Sequence, residues 1–156
     1  MRYWLFKSEP DEFSIDDLEK ERIALWEGVR NYQARNFMRD NCAQGDLVLF
    51  YHSSCKHTGV AGLAKISREA IPDPSQFDPK SPYFDSKADA QTPRWHCVEV
   101  QFQERFKEVV SLSKIKENPR LRTMLLAQKG SRLSIQPVEQ EEFKEVLRMA
   151  RQKEKS

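Results

Sequence analysis

Leu47-Val48-Leu49-Phe50-Tyr51 is an unbroken apolar run of strand length, entered from the turn pair Gly45-Asp46 and left through His52-Ser53. Successive strand residues point to opposite faces, so such a run is buried on both and predicts an interior strand. A second two-faced strand is predicted over residues 3–7, with Trp4 and Phe6 on one face and Tyr3 and Leu5 on the other. Gly59 to Ile71 reads as a third strand, in which Gly62 and Ala64 permit close approach. From Trp95 to Phe102 the pattern alternates: His96, Val98, Val100 and Phe102 face one way, and Cys97, Glu99 and Gln101 the other. Leu133 to Val138 is a short strand whose Pro137 marks its end or a sheet edge. Between the strands lie short helices. Ser14 caps one running to about Glu21, Asn31 caps Tyr32 to Asn41, and Asn118-Pro119 opens one to about Ala127 that Gly130 stops. A last helix, Glu139 to Gln152, presents Phe143, Val146, Leu147 and Ala150 to the core. Pro72 to Pro93 holds five prolines and reads as a long excursion. No regular βαβ repeat appears, so the expected fold is α+β: a curved or closed mixed sheet surrounded by short helices, one domain over residues 1–156.

The composition limits the function classes. In 156 residues, 38% are hydrophobic and 32% charged, enough for one core and too polar for a membrane span. The apolar stretch at the amino terminus is too short for a secretory signal, and the three cysteines have no paired spacing, so a cytoplasmic chain (nuclear in a eukaryote) without a disulfide framework is expected. Net charge is only +2, but residues 1–21 carry three Lys/Arg against seven Asp/Glu, whereas residues 111–136 carry six against one. That asymmetry permits a polyanionic partner.

Catalytic motifs are missing: there is no phosphate-binding glycine fingerprint, no nucleophile elbow and no His-Glu-x-x-His. His52-Ser53-Ser54-Cys55-Lys56-His57 lacks zinc spacing and reads as a turn, so no metal or cofactor is expected. More informative is Trp26-Glu27-Gly28-Val29-Arg30-Asn31-Tyr32-Gln33-Ala34-Arg35-Asn36, where rings alternate with amides and guanidinium groups. Such a mixture suits a pocket in which a planar ligand stacks on a ring while amides read its edge. Lys129-Gly130-Ser131-Arg132-Leu133-Ser134 is a basic, glycine-containing turn suited to a nucleic-acid backbone, and Lys7-Ser8-Glu9-Pro10 is a third polar knot at a strand end.

These three stretches, with Asp46 to Ser53, Arg94-Trp95 and Gln136-Pro137-Val138, resemble the EVE domain family over nearly the whole chain. Glu139 departs from the pattern, which has a threonine helix cap there. The resemblance implies a PUA-like fold, related to readers of methylated adenine, and a non-enzymatic reader of modified bases, particularly modified cytosines, in DNA or RNA. On this reading Trp26 is the stacking platform; Ser8, Asn31 and Ser134 read the base edge; Tyr51 and His52 complete the wall; and Lys7, Arg30, Arg35 and Arg132 contact phosphates or form the pocket wall. Two alternatives stand beside it: an RNA-binding module indifferent to modification, and a small nucleotide-processing enzyme using Cys55 or the His52/His57 pair.

Overall fold

The computed structural model describes residues 1–130 and 132–152; Ser131, within the basic turn, and residues 153–156 lie outside the described residues. Strand β1 (Tyr3–Ser8) is interior. The second strand in the chain, β2 (Ile23–Leu25), is short, and β3 (Leu47–His52) runs parallel to β1, pairing Trp4 with Val48 and Phe6 with Phe50. The long strands β4 (Gly59–Pro72) and β5 (His96–Ser111) and the short β6 (Ile135–Val138) complete a six-stranded mixed sheet in the order β2-β5-β4-β3-β1-β6. Its two edges, β2 and β6, are not paired with each other, so the sheet is curved rather than closed into a barrel. Repeated register shifts along β4 and β5 supply the bending. At Gly62 a Cβ would lie 2.5 Å from the Glu104 carbonyl oxygen, the close approach that the small residues of this strand predict.

The period-two reading of the interior strands holds. Trp4, Phe6, Val48 and Phe50 enter one core, and Leu5, Leu49 and Tyr51 the other. The first core is covered by α1 (Ile15–Glu21), by α2 (Tyr32–Asn36) and by the loop bearing Trp26. The second is covered by α3 (Leu112–Glu117), two 3-10 turns and α4 (Gln140–Ala150). Ser14 caps α1 by accepting from the Asp17 amide at 3.1 Å, and Asn31 caps α2 by accepting from Ala34 at 2.9 Å.

Several expectations are corrected. The helix over residues 119–127 is two 3-10 turns, Pro119–Leu121 and Leu125–Ala127, although Asn118 caps the first as its sequence suggests. Leu121, Met124 and Leu126 all enter the second core, and their spacing does not fit one face of an α-helix. The helix from Tyr32 widens at Phe37 into a π turn, Phe37–Asn41, closed by the Cys42 amide donating to the Phe37 carbonyl. β5 continues well past Phe102, and Cys97, read as facing opposite to Val98, is fully buried as Val98 is. Burial pushes the Cys97 thiol up to about 12. Before α4, the Glu139 amide donates to the Glu142 carboxylate at 2.9 Å, so half of a capping box survives without a threonine.

Candidate functional site

Where the carboxyl end of β1 meets β2 and the loop after it, the sheet opens into a cleft of about 1080 Å³. Trp26 lines it while only 8% exposed. Its amide donates to the Val98 carbonyl at 2.8 Å, and its ring lies 5.3 Å from those of both Phe6 and Phe50, with Phe13 edge-on at 6.4 Å. The indole is therefore fixed by packing before any ligand arrives, as a stacking platform needs to be.

The facing wall comes from the proline-rich excursion, which is tightly organised. Asp73, 1% exposed, accepts from the amide and hydroxyl of Ser75 through Oδ1. Through Oδ2 it accepts from the Gly28 amide at 2.8 Å and from Arg30 Nη1 at 3.1 Å. Gln76, fully buried, donates to the carbonyls of Asp73 and Trp95 and accepts from the amides of Arg94 and Trp95. Every polar atom of that amide side chain is thus satisfied. Gly28, at φ +86°, sits under Tyr83, where a Cβ would lie 2.7 Å from the ring. The positive φ favours glycine there, and any side chain would also have to displace the Tyr83 ring.

Seven of the ten residues singled out in the sequence line the cleft: Lys7, Ser8, Trp26, Arg30, Asn31, Arg132 and Ser134. The Ser8 hydroxyl donates to the Phe13 carbonyl at 2.7 Å, leaving its oxygen lone pairs as acceptors. Asn31 uses Oδ1 as the helix cap, which leaves its two Nδ2–H donors. The Ser134 carbonyl accepts from the Lys7 amide at 2.8 Å, joining the basic turn to the end of β1. Lys7 holds its ammonium 5.8 Å from the Tyr51 ring centre, and burial lowers its pKa.

Arg30 belongs to the wall rather than to a phosphate site. Its five N–H groups donate to Val29 O, Asp73 Oδ2, Ser75 Oγ and, twice, Tyr83 O, which exhausts the guanidinium. Arg35 lies outside the cleft, donating to the Arg94 carbonyl and to Asn36 and covering the ring of Tyr32, itself stacked on Trp95 at 4.9 Å. Tyr51 faces the second core, on the opposite side of the sheet from Trp26, where burial raises its pKa to about 12.

His52 also stands away from the cleft lining. Its Nε2 accepts from the Ile15 amide at 3.1 Å, at the start of α1, and burial lowers its pKa from the usual 6.5. Protonation removes this acceptor. Because the folded pKa is depressed, the stabilisation is present above about 6.5 and is lost as pH falls through the folded value. His96, lowered by burial and then by Arg39 and Arg35, adds to the same loss. A His52→Gln variant, which keeps an acceptor, is expected to show a shallower fall in urea midpoint between about pH 7 and 5. An unchanged slope would contradict this role.

Residues that sequence reasoning passed over are Phe13, Glu27, Ser53, Ser54 and Tyr83 on the cleft, and Asp73 and Gln76 behind its wall. Glu27 was legible as the neighbour of Trp26. The others come from segments that read as turns. Among the described residues no group of three or more His, Cys, Asp or Glu is placed to hold a metal, and no helix is long and apolar enough to cross a membrane.

The fold and cleft define a PUA-like domain: a mixed curved sheet that carries the Trp26 ring into an open polar cleft beside one strand end. The EVE domain profile matches residues 2–149, and the chain belongs to that family. Thymocyte nuclear protein 1 of Gallus gallus is 43% identical, covering 97% of this chain and 69% of its own, and that of Homo sapiens is 42% identical over 93% and 72%. Among solved structures, human THYN1 in complex with 5-methylcytosine containing DNA superposes with a TM-score of 0.90 at 39% identity, covering 99% of this chain and all of that one. A Pseudomonas syringae protein superposes at 0.91 with 49% identity, covering 95% and 99%.

Proposed function

We propose that this chain is a single-domain nucleic-acid binder that holds a modified cytosine in the cleft, and that it is not an enzyme. The observation that carries the reading is the preset Trp26 ring in a cleft wide enough for a base, rimmed by Ser8, Asn31, Ser134, Lys7 and Arg132. The human relative solved with 5-methylcytosine containing DNA supports it. Against the catalytic alternative, Cys55, His52 and His57 stand outside the cleft lining, and the His52 Nε2 is engaged by a backbone amide.

A base enters such a cleft only after leaving its stack, at a cost of a few kcal/mol, and stacking on a ring returns about 1–3 kcal/mol. A methyl in an apolar niche adds about 0.8 kcal/mol, roughly fourfold in affinity. The polar rim therefore has to supply most of the selectivity for the base. On this reading Lys7 and Arg132, which line the cleft, contact phosphates, while Arg30 and Arg35 hold the walls.

The test is fluorescence anisotropy on labelled DNA and RNA oligonucleotides, single and double stranded, carrying cytosine, 5-methylcytosine or 5-hydroxymethylcytosine at one position. One modified oligonucleotide is expected to bind several-fold more tightly than its unmodified twin. Equal, salt-sensitive binding across the panel would reduce the cleft to a basic surface and favour the modification-indifferent module.

A further inference from the structure

Thymine carries the same 5-methyl group as 5-methylcytosine and stacks as well, so neither Trp26 nor a methyl niche separates them. The difference lies at position 4, where cytosine presents an amine and thymine a carbonyl. Telling them apart requires a hydrogen-bond acceptor in the cleft that has no other partner.

Four carboxylates line the cleft: Glu9, Glu12, Glu21 and Glu27. Glu9 and Glu12 belong to a turn, closed by the Glu12 amide donating to the Glu9 carbonyl, and Glu21 ends α1. Glu27 differs in its backbone. It follows the platform residue directly and lies between two anchored amides, Trp26 bonded to Val98 and Gly28 bonded to Asp73, both at 2.8 Å. Among the described residues its carboxylate has no hydrogen-bond or ion-pair partner. Burial, and then the Asp73 charge, raise its pKa, while Arg30 opposes them. Glu27 is exposed and lines the cleft, so its carboxylate stands open to a base that enters beside the preset ring.

We infer that Glu27 reads the exocyclic amine of the bound base, with Asn31 donating to the ring-nitrogen and carbonyl acceptors beside it, so that the cleft takes cytosine-type bases and rejects thymine and uracil. The inference rests on the cleft being a base pocket. A thymine in the same place sets its O4 against the carboxylate, leaving an acceptor unpaired and repelled.

Glu27→Gln is the informative change, because a carboxamide serves both bases: it accepts from the amine or, rotated, donates to O4. The experiment measures affinities for matched oligonucleotides carrying 5-methylcytosine, cytosine or thymine, using wild type, Glu27→Gln and Glu21→Gln. Wild type is expected to prefer 5-methylcytosine over thymine by about tenfold, the range of one good base-edge contact. Glu27→Gln is expected to bring that ratio below about threefold, mainly by strengthening thymine binding. Glu21→Gln, which removes the same charge from the rim, is expected to leave the ratio alone. An undiminished ratio in Glu27→Gln, with 5-methylcytosine still preferred over cytosine, would overturn the role of Glu27 and leave the base pocket standing. A wild type indifferent to all three bases would overturn both.

Discussion

Replacing Asp73 by alanine is expected to lower folding stability by about 3–5 kcal/mol, the cost of breaking a buried ion pair from one side. The carboxylate is 1% exposed and serves four donors: the Ser75 amide and hydroxyl, the Gly28 amide and Arg30. Its loss orphans buried amides and leaves Arg30, whose side chain is 22% exposed, without its counter-charge. For a domain with about 5–15 kcal/mol in total, that is enough to bring it near unfolding. Asp73→Asn is a finer probe. One carboxylate oxygen is replaced by an NH2 donor, and either orientation sets that donor against donors already there: Gly28 and Arg30 on one side, the Ser75 amide on the other. The asparagine variant is therefore expected to retain less than half of the lost stability. Urea midpoints give both values. An Arg30→Ala, Asp73→Ala double mutant should cost less than the two single changes together, because no uncompensated charge remains. Strict additivity, or an Asp73→Ala cost below about 1 kcal/mol, would show that the wall does not depend on this pair.

Asp73 also shows why part of the cleft was hidden in the sequence. The interior strands were legible because two-faced apolar runs have few alternatives. The caps Ser14, Asn31 and Asn118 were legible because their chemistry is local. Pro72 to Pro93 reads as an irregular excursion since its order comes from Asp73 and Gln76, side chains that bond backbone groups far along the chain. No local pattern reports a carboxylate facing an amide 45 residues away. The basic and aromatic cleft residues were found from their mixture of types, yet the mixture did not reveal which were engaged. Arg30 and Arg35 look like phosphate ligands in sequence and are wall braces in three dimensions. Tyr51 is a different kind of miss. It shares strand parity with Leu49, and period two alone assigns it to the face opposite Trp26.

Trp26 carries the other large expected effect. Truncation to alanine mixes two losses, because the indole packs on Phe6, Phe13 and Phe50 and removing a buried Trp costs about 3–5 kcal/mol of stability. Trp26→Leu and Trp26→Phe separate them. Leucine fills part of the volume without a π-face and is expected to weaken binding of the preferred oligonucleotide by about 5- to 150-fold, the equivalent of one base–aromatic stack. Phenylalanine keeps a smaller ring and is expected to lose less. In both variants the electrostatic binding shared by all oligonucleotides should survive with its salt dependence intact, since Lys7 and Arg132 are untouched. Tryptophan fluorescence gives an independent readout. Trp4 is buried with its indole N–H on Asp46, and Trp95 donates to Asp85 outside the cleft lining, so ligand-dependent quenching is expected to come from Trp26 and to vanish in Trp26→Phe. Thermal unfolding of each variant shows whether it is folded at the assay temperature. A folded Trp26→Leu protein that still discriminates the modified base with undiminished affinity would mean that the ring belongs to the core alone and that the base is held elsewhere.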